Sequence, residues 1–271
     1  MAAVVFTAVG DLMPIDWIVP RPGLDFVVAY YGNSDTRWQT LCEKATYAFR
    51  GKGSKFQFLW SWYTAHEFDA GKYVLYGIFD DDISLSADQI ARMFVDLNNH
   101  QVMNKDAVLY SPAHAIDGKI SHQIMRPHGS HSGCMRDATD DVIFRKTRFV
   151  EMTYPVLRRD FLHKFMCLYE PYLISWGIDI TFSILLEAST QSCYILDHYV
   201  CHNPTNSEKN LQNGEMANSY PKRMDQWVSF YSSKGFFSSW DDHQKNFKLY
   251  TNCPGDCCCC LNMNTVKNKI R

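Results

Sequence analysis

The chain has 271 residues, of which 46% are hydrophobic, and this supplies enough apolar surface for a packed globular core. Its 27 basic and 29 acidic residues give a formal net charge of -2, so the composition provides no overall positive field for nucleic acid or for an anionic membrane. The longest apolar runs fall short of a membrane-spanning helix and the N-terminus has no basic leader segment, so we expect a soluble, cytoplasmic protein without membrane insertion.

Strand and helix patterns alternate in the first hundred residues. In chain order they predict a strand at 4–9, a strand at 25–31, a helix at 35–49, a helix at 55–68, a strand at 73–79 and a helix that begins after Ser86. Ser86 and Gln89 form a capping-box pattern, which supports the start of the last helix.

The second half of the chain is less regular. It predicts a strand at 107–110, a strand at 149–157, a helix at 160–169, a helix from the turn at 176–179 to residue 188, a strand at 194–200 and a helix at 222–234. Residues 112–147 show little periodicity, and we expect them to form a lid or an acceptor-facing wall. His128 and His131 within them have no metal-binding spacing and are interpreted as polar loop residues.

The alternation of strands and helices predicts the fold class. It favours an α/β fold of the Rossmann type, with a mostly parallel central sheet flanked by helices. No linker composition divides the chain, so we expect a single folded domain.

Ten cysteines fall into two groups. Those without paired spacing are expected to be buried thiols, and they are Cys42, Cys134, Cys167, Cys193 and Cys201. The other five lie between Cys253 and Cys260. Because adjacent cysteines cannot easily all face one ion, we interpret this cluster as a loosely ordered tail, with metal binding or acylation as the alternative.

Three carboxylates follow the strand in YVLYGIFDDDISLS, residues 73–86. Successive side chains of an extended chain alternate, so Asp80 and Asp82 share a face and Asp81 points the other way. Neighbouring negative charges favour a cation among them, and Mg²⁺ or Mn²⁺ is often held by one or two carboxylates together with phosphate oxygens. The simpler interpretation is that these acids favour the dipole of the following helix, but a dipole does not require three.

The position of this D-x-D motif separates two classes of enzyme. In haloacid-dehalogenase-type phosphatases the motif follows the first strand, and its first aspartate is the nucleophile. Here two predicted strands and two predicted helices come first. That layout resembles the GT-A glycosyltransferases, in which a nucleotide-binding βαβ unit leads into D-x-D.

A more specific resemblance covers residues 4–207. Its segments, in order, are VFTAVGDLMPIDWIV, DFVVAYYGN, SKFQFLW, the DDD strand end, SPAHAIDGKISH, FVEMTYPVL, WGIDITF and DHYVCHNPT. They resemble a GT-A-like family abundant in plants, the lysine-ketoglutarate reductase trans-splicing related proteins. They are also similar to capsid-glycan glycosyltransferases of large algal viruses, including a xylosyltransferase. If the protein is viral, the resemblance implies that it lies in the host-cell cytoplasm. Plant members tend to have D-E-D where this chain has D-D-D, which keeps both outer carboxylates.

The resemblance implies a metal site and a donor site. Asp80 and Asp82 would bind Mn²⁺ or Mg²⁺, and His202 would complete the site, with His198 as the competing ligand. Asp81 would face the ribose or sugar of the donor. The residues expected to contact the nucleotide at the ends of the first two strands are Ala8, Val9, Gly10, Asp11 and either Tyr31 or Tyr30. Lys55 is either a diphosphate contact or a solvated lysine.

The resemblance also implies an acceptor site. Asp179 would be the general base, although a carboxylate at a helix start is also stabilised by the helix dipole alone. Trp176 would offer a flat apolar face to a sugar ring, and Glu151 is the alternative base.

These inferences combine into one functional hypothesis. A metal-dependent glycosyltransferase would move a sugar from a nucleotide-diphosphate sugar, a UDP-sugar with UDP-xylose as one candidate, to a hydroxyl of a glycan or glycoprotein, with inversion. Residues 1–235 would form the GT-A-like domain, with a nucleotide-binding half at 1–100 and an acceptor half at 101–235, and residues 236–271 would be a Cys-rich extension. The alternatives are a phosphatase or nucleotidyltransferase that uses the same carboxylates, and a non-catalytic sugar-binding protein.

Overall fold

A computed structural model describes residues 2–66, 71–115, 122–127, 144–173, 177–202 and 220–236, together with Asp241 and Gln244. Several residues singled out in the sequence lie outside these ranges, namely Trp176, His128, His131 and the cysteines at 253–260. Most of the predicted lid segment, 116–121 and 128–143, lies outside them as well.

The described strands form one eight-stranded sheet. They are β1 (Ala3–Val9), β2 (Leu24–Tyr30), β3 (Tyr47–Arg50), β4 (Leu75–Asp80), β5 (Ala107–His114), β6 (Phe144–Thr147), β7 (Val156–Arg158) and β8 (Ser192–Cys201). Their order across the sheet is β3-β2-β1-β4-β7-β5-β8-β6. The strands β6 and β7 pair antiparallel with their neighbours, and the other pairings are parallel, so the mostly parallel sheet predicted from the sequence is confirmed.

Helices cover both faces of this sheet. The described helices are α1 (Asp35–Lys44), α2 (Lys55–Ala65), α3 (Ala87–Met103), α4 (Arg159–Leu168), α5 (Ile178–Glu187) and α6 (Tyr220–Ser233), with a short 3-10 helix at Gln123–Met125. Among the described residues, helix α6 packs on α5 and not on the sheet. Alternate residues of β1 point to opposite faces: Val5 and Val9 enter a core shared with α1 and α3, whereas Val4 and Phe6 enter one shared with α2, α4 and α5. None of the helices in the described ranges is long and apolar enough to cross a membrane.

Several sequence-based element boundaries are wrong, three of them in the type or the extent of an element. The helix predicted for 35–49 ends at Lys44, because Tyr47–Arg50 pairs with β2 as a strand. The irregular segment predicted for 112–147 contains the strand Phe144–Thr147, which pairs with β8. The strand predicted for 149–157 is reduced to Val156–Arg158. In each case the sheet pairing of a distant segment, and not local periodicity, sets the boundary.

The scattered cysteines are only partly buried as predicted. Cys193 and Cys201 lie in β8 and are buried, whereas Cys42 and Cys167 are exposed on helices α1 and α4. The prediction was therefore wrong for the two helical cysteines, because they fall on the solvent faces of their helices. Cys134 lies outside the described residues.

Candidate active site

The carboxyl ends of β1, β2 and β4 meet at one edge of the sheet. Parallel pairing aligns Ala8 of β1 with both Ala29 and Asp80, so the residues that follow these strands converge there. The carboxylate of Asp81 joins them: its Oδ2 accepts a hydrogen bond from the Gly10 N–H at 3.1 Å and from the Tyr31 hydroxyl at 3.2 Å. Open α/β sheets bind ligands beyond such strand ends.

The Asp11 side chain forms hydrogen bonds with the loop that follows β2. Its carboxylate accepts hydrogen bonds from the Tyr30 hydroxyl, from the Asn33 N–H at 2.8 Å and from the Ser34 N–H at 3.3 Å. The hydrogen bond from Tyr30 is the largest cause that lowers the pKa of Asp11. Asp11 and Tyr30 therefore hold the loop at this edge of the sheet, and the Tyr31 hydroxyl donates to Asp81; the nucleotide contacts of these residues stay a prediction.

Asp80 lies against a buried ammonium group. Lys55 is the first residue of α2, and its Nζ lies 2.9 Å from Asp80 Oδ1. The same Nζ donates to the carbonyl oxygens of Met152 at 2.7 Å, Thr153 at 3.0 Å and Ile78 at 3.3 Å. The Lys55 side chain is thus not solvated, and it ties the end of β4 to the segment before β7.

Asp82 is buried beside Tyr154, whose hydroxyl donates to Asp82 Oδ1 at 3.0 Å. Asp82 thus contacts residue 154 directly, and Asp80 is linked to residue 152 through Lys55. Asp81 instead turns toward the ends of β1 and β2. This arrangement agrees with the alternation of side chains in an extended chain.

Negative charge is concentrated at this strand end. Burial raises the pKa of Tyr31, and the charge of Asp81 raises it further. Burial likewise raises the pKa of Tyr154, with the charge of Asp82 as the next cause. Carboxylate oxygens in a negative field are suitable donors for a hard divalent cation. The carboxylate oxygens at this strand end therefore fit Mg²⁺ or Mn²⁺, with Asp80 Oδ1 shared with the Lys55 ammonium.

The predicted histidine ligands lie at the end of β8. The N–H of His202 donates to Ser84 Oγ at 2.6 Å, which places this residue beside the segment that follows Asp82. His198 is exposed, and its ring lies 5.3 Å from that of Tyr199. Within the described residues, no three His, Cys, Asp or Glu side chains are already arranged around one metal position. The ligand set Asp80, Asp82 and His202 stays a prediction.

Asp179 is the second residue of α5, a helix that begins after Gly177. Its Oδ1 accepts a hydrogen bond from the Ile180 N–H at 2.9 Å, and its Oδ2 lies 4.0 Å from His122 Nε2. Burial raises the pKa of Asp179 to about 6 and lowers the pKa of His122 to about 4. A carboxylate whose pKa approaches neutrality is suited to proton transfer.

Glu151 and His114 form a second buried pair. Glu151 Oε2 lies 3.5 Å from His114 Nδ1, and His114 Nε2 shares a hydrogen bond of 3.1 Å with Thr153 Oγ1. Burial lowers the pKa of His114 to about 4, so the imidazole is neutral near pH 7. The carbonyl of Thr153 accepts the Asp80 N–H at 2.9 Å, which links this pair to the carboxylate cluster.

Sequence reasoning did not single out His114 or His122. Both fall in the segment interpreted as irregular, although His114 is the last residue of β5. The run AVLYSPAH, whose residues are all buried, is the local signal that could have extended the predicted strand to it. His122 has no comparable signal, because only the fold brings it near Asp179.

No protein-family model matches the chain, and no curated protein matches it. Solved structures do. The chain is similar to GalNAc-T7 in a crystal structure with UDP, GalNAc and Mn²⁺, at 11% identity and a TM-score of 0.52, over 76% of this chain and 44% of that one. It also matches S. aureus TarS 1-349, at 11% identity and a TM-score of 0.44 over 76% and 60% of the two chains. A197 from STIV matches at 12% identity and a TM-score of 0.37 over 72% and 82%.

The chain therefore spans less than half of the GalNAc-T7 chain and 60% of the TarS chain. At this level of identity, the similarity to GalNAc-T7 shows the fold. The predicted GT-A-like α/β class, a mostly parallel central sheet with flanking helices, is confirmed.

Proposed function

We propose that this protein is a metal-dependent glycosyltransferase that moves a sugar from a nucleotide-diphosphate sugar to a hydroxyl of a glycan or glycoprotein. One observation carries the proposal: Asp81 joins Gly10 and Tyr31 where β1, β2 and β4 end, with the other two carboxylates beside it. This is the ligand-binding edge of a GT-A-like sheet. The similar GalNAc-T7 structure contains UDP, GalNAc and Mn²⁺, which supports a UDP-sugar as the donor.

Asp80, Asp82 and His202 would hold Mn²⁺ or Mg²⁺. When bound, the cation would offset the negative charge that develops on the leaving diphosphate. The three neighbouring carboxylates at the strand end support cation binding there, and the charges of Asp81 and Asp82 add to the effect of burial on the pKa of Tyr31 and Tyr154.

The donor would lie along the strand ends. Ala8, Val9, Gly10, Asp11 and Tyr31 would border the base and ribose, and Asp81 would contact the ribose or sugar. The buried contact between Lys55 and Asp80 gives this lysine a role in orienting the carboxylate. A direct contact with the diphosphate would require Lys55 to leave its carbonyl partners.

Asp179 would accept the proton of the acceptor hydroxyl, and direct attack by that oxygen on the sugar would invert its stereochemistry. The pKa of about 6 leaves Asp179 ionised at neutral pH yet basic enough to take a proton. Trp176 and Glu151 would border the acceptor. On this proposal residues 1–100 bind the donor and residues 101–235 bind the acceptor, while 236–271 form an extension.

A thermal-shift panel of nucleotide-sugars, with and without Mn²⁺, tests the proposal. UDP-xylose and UDP-GalNAc are the first donors to compare, and a ligand at about 100 times its Kd adds roughly 2.7 kcal/mol of stability. We expect stabilisation by one UDP-sugar that EDTA abolishes, followed by UDP release when glycan acceptors are added.

Two other outcomes would replace the proposal. Release of inorganic phosphate from simple phosphomonoesters, without a response to nucleotide-sugars, would identify a phosphatase. Stabilisation by glycans that needs neither nucleotide nor Mn²⁺ would identify a sugar-binding protein.

A further inference from the structure

Two side chains on the solvent face of α4 form a pair outside the carboxylate cluster. His163 and Cys167 are both exposed, and Cys167 Sγ lies 3.7 Å from His163 Nε2. Residues four apart on a helix lie on one face, one turn from each other. The opposite face of α4 is held in the core by Phe161 and Phe165, so the helix backbone that carries the pair is fixed.

A tyrosine from the neighbouring helix holds the imidazole from its other side. The Tyr63 hydroxyl, on α2, lies 3.1 Å from His163 Nδ1. The two helices pack through Phe56 and Phe165, whose ring centroids are 5.8 Å apart. If Tyr63 accepts the proton on Nδ1, the lone pair of His163 Nε2 faces the Cys167 sulfur.

We propose that His163 and Cys167 form a two-ligand site for a borderline-soft divalent cation of the zinc type, with Tyr63 as the outer partner of the imidazole. Zinc binds thiolate sulfur at about 2.3 Å and imidazole nitrogen at about 2.0–2.1 Å in tetrahedral geometry, which separates two such ligands by about 3.6 Å. The observed separation of 3.7 Å matches this value. Binding displaces the thiol proton to solvent, and water fills the remaining positions.

The donor atoms make this site selective against the cation proposed for the carboxylate cluster. Thiolate and imidazole favour zinc, whereas Mg²⁺ and Mn²⁺ favour oxygen ligands. Neither His163 nor Cys167 contributes to the proposed glycosyltransferase site. The zinc-site proposal and the glycosyltransferase proposal can therefore be tested independently of each other.

Alkylation by iodoacetamide, followed by peptide mapping, tests the site on the full chain. Cys42, exposed on α1, is a reference thiol within the same molecule. We expect Zn²⁺ to slow the alkylation of Cys167 by about tenfold or more relative to Cys42, because a zinc-bound thiolate is a poorer nucleophile. Mg²⁺ should slow neither thiol.

Two variants identify the partners of Cys167. In His163→Gln, the alkylation rate with Zn²⁺ should return to the zinc-free rate, because an amide is a poor zinc ligand. Tyr63→Phe should raise the Zn²⁺ concentration needed for half-protection by about 10-fold or more, as expected for loss of an outer-sphere partner. Thermal unfolding of both variants checks that the fold is retained.

Three results would overturn the proposal. They are an absence of zinc protection at Cys167, equal protection of Cys42 and Cys167, and undiminished protection of Cys167 in His163→Gln.

Discussion

The indole of Trp227, on α6, lies directly against Gly177, the residue that precedes α5. A Cβ atom at Gly177 would lie 2.6 Å from Trp227 Nε1, and the φ of Gly177 is +78°. Trp227 Nε1 also donates to Thr181 Oγ1 at 3.2 Å, and the Thr181 hydroxyl donates to the Gly177 carbonyl at 3.0 Å. Helix α6 thus fixes the first turn of α5, which carries Asp179.

This contact predicts a large loss of stability for Gly177→Ala. A left-handed φ costs an L residue about 1–2 kcal/mol, and the overlap with the indole adds to it, so we expect a total loss of about 2–4 kcal/mol. Gly235→Ala is the matched control, because Gly235 has φ +73° but nothing within 4 Å of an added Cβ. Urea unfolding measures both. Equal losses would show that Trp227 does not restrict Gly177.

Removal of the Lys55 ammonium should destabilise the fold. Lys55→Met leaves the Asp80 carboxylate and three carbonyls without this buried donor, and we expect a loss of about 3 kcal/mol. The double variant Lys55→Met/Asp80→Asn should recover part of it. Lys72→Met, which removes a half-exposed contact to Asp25 at 3.7 Å, is the control and should cost less than about 1 kcal/mol. The unfolding free energies of Lys55→Met, Asp80→Asn and the double variant give a coupling energy between the two side chains. That coupling energy would be near zero if the contact between Lys55 and Asp80 contributed nothing.

The proposed metal role of the carboxylates predicts the effect of amide substitutions. Asp82→Asn keeps the size of the side chain and an oxygen for the Tyr154 hydroxyl but removes the charge, so the fold should survive while Mn²⁺-dependent transfer falls by about 100-fold or more. Asp80→Asn should lower transfer similarly, and it should also lower the free energy of unfolding, because it removes the charge that faces the Lys55 ammonium. Asp88→Asn, an exposed acid in the first turn of α3, should change neither activity nor metal requirement. Normal turnover in both Asp80→Asn and Asp82→Asn would refute the metal site.

The proposed base predicts both a mutant phenotype and a pH profile. Only ionised Asp179 can accept a proton, so the transfer rate should rise as pH passes through about 6 and then level off. Asp179→Asn should lower the transfer rate by roughly 10²- to 10⁴-fold with donor affinity almost unchanged, because the base acts on the acceptor.

Asp160→Asn is the control for this substitution. Asp160 is also the second residue of its helix, and its carboxylate also accepts the N–H of the following residue, Phe161. Initial rates and donor titrations on both variants separate catalysis from helix stabilisation. A rate for Asp179→Asn within threefold of the unsubstituted protein would move the proposed base to Glu151.

Local chemistry in the sequence determined the helix starts and the principal strands. Ser86 and Gln89 form the predicted capping box at the start of α3, because capping involves only residues within one turn. The strands β1, β2 and β4 coincide with apolar runs, since burial on both faces of a parallel sheet selects such runs. The sequence therefore determined the fold class and the strand end that carries the three aspartates.

Tertiary structure decided the remaining elements and the surroundings of the carboxylates. Tyr47–Arg50 is a strand because β2 offers an edge to pair with, although local spacing favoured a helix. Lys55 is buried and bound to the carbonyl of Met152, 97 positions away, a contact that local periodicity cannot encode. The pairing of His114 with Glu151 likewise depends on how β5 lies beside the chain that leads into β7. The sequence determines which groups carry charge, but only the packed sheet decides which of them share a buried environment, and that environment sets their pKa values and partners.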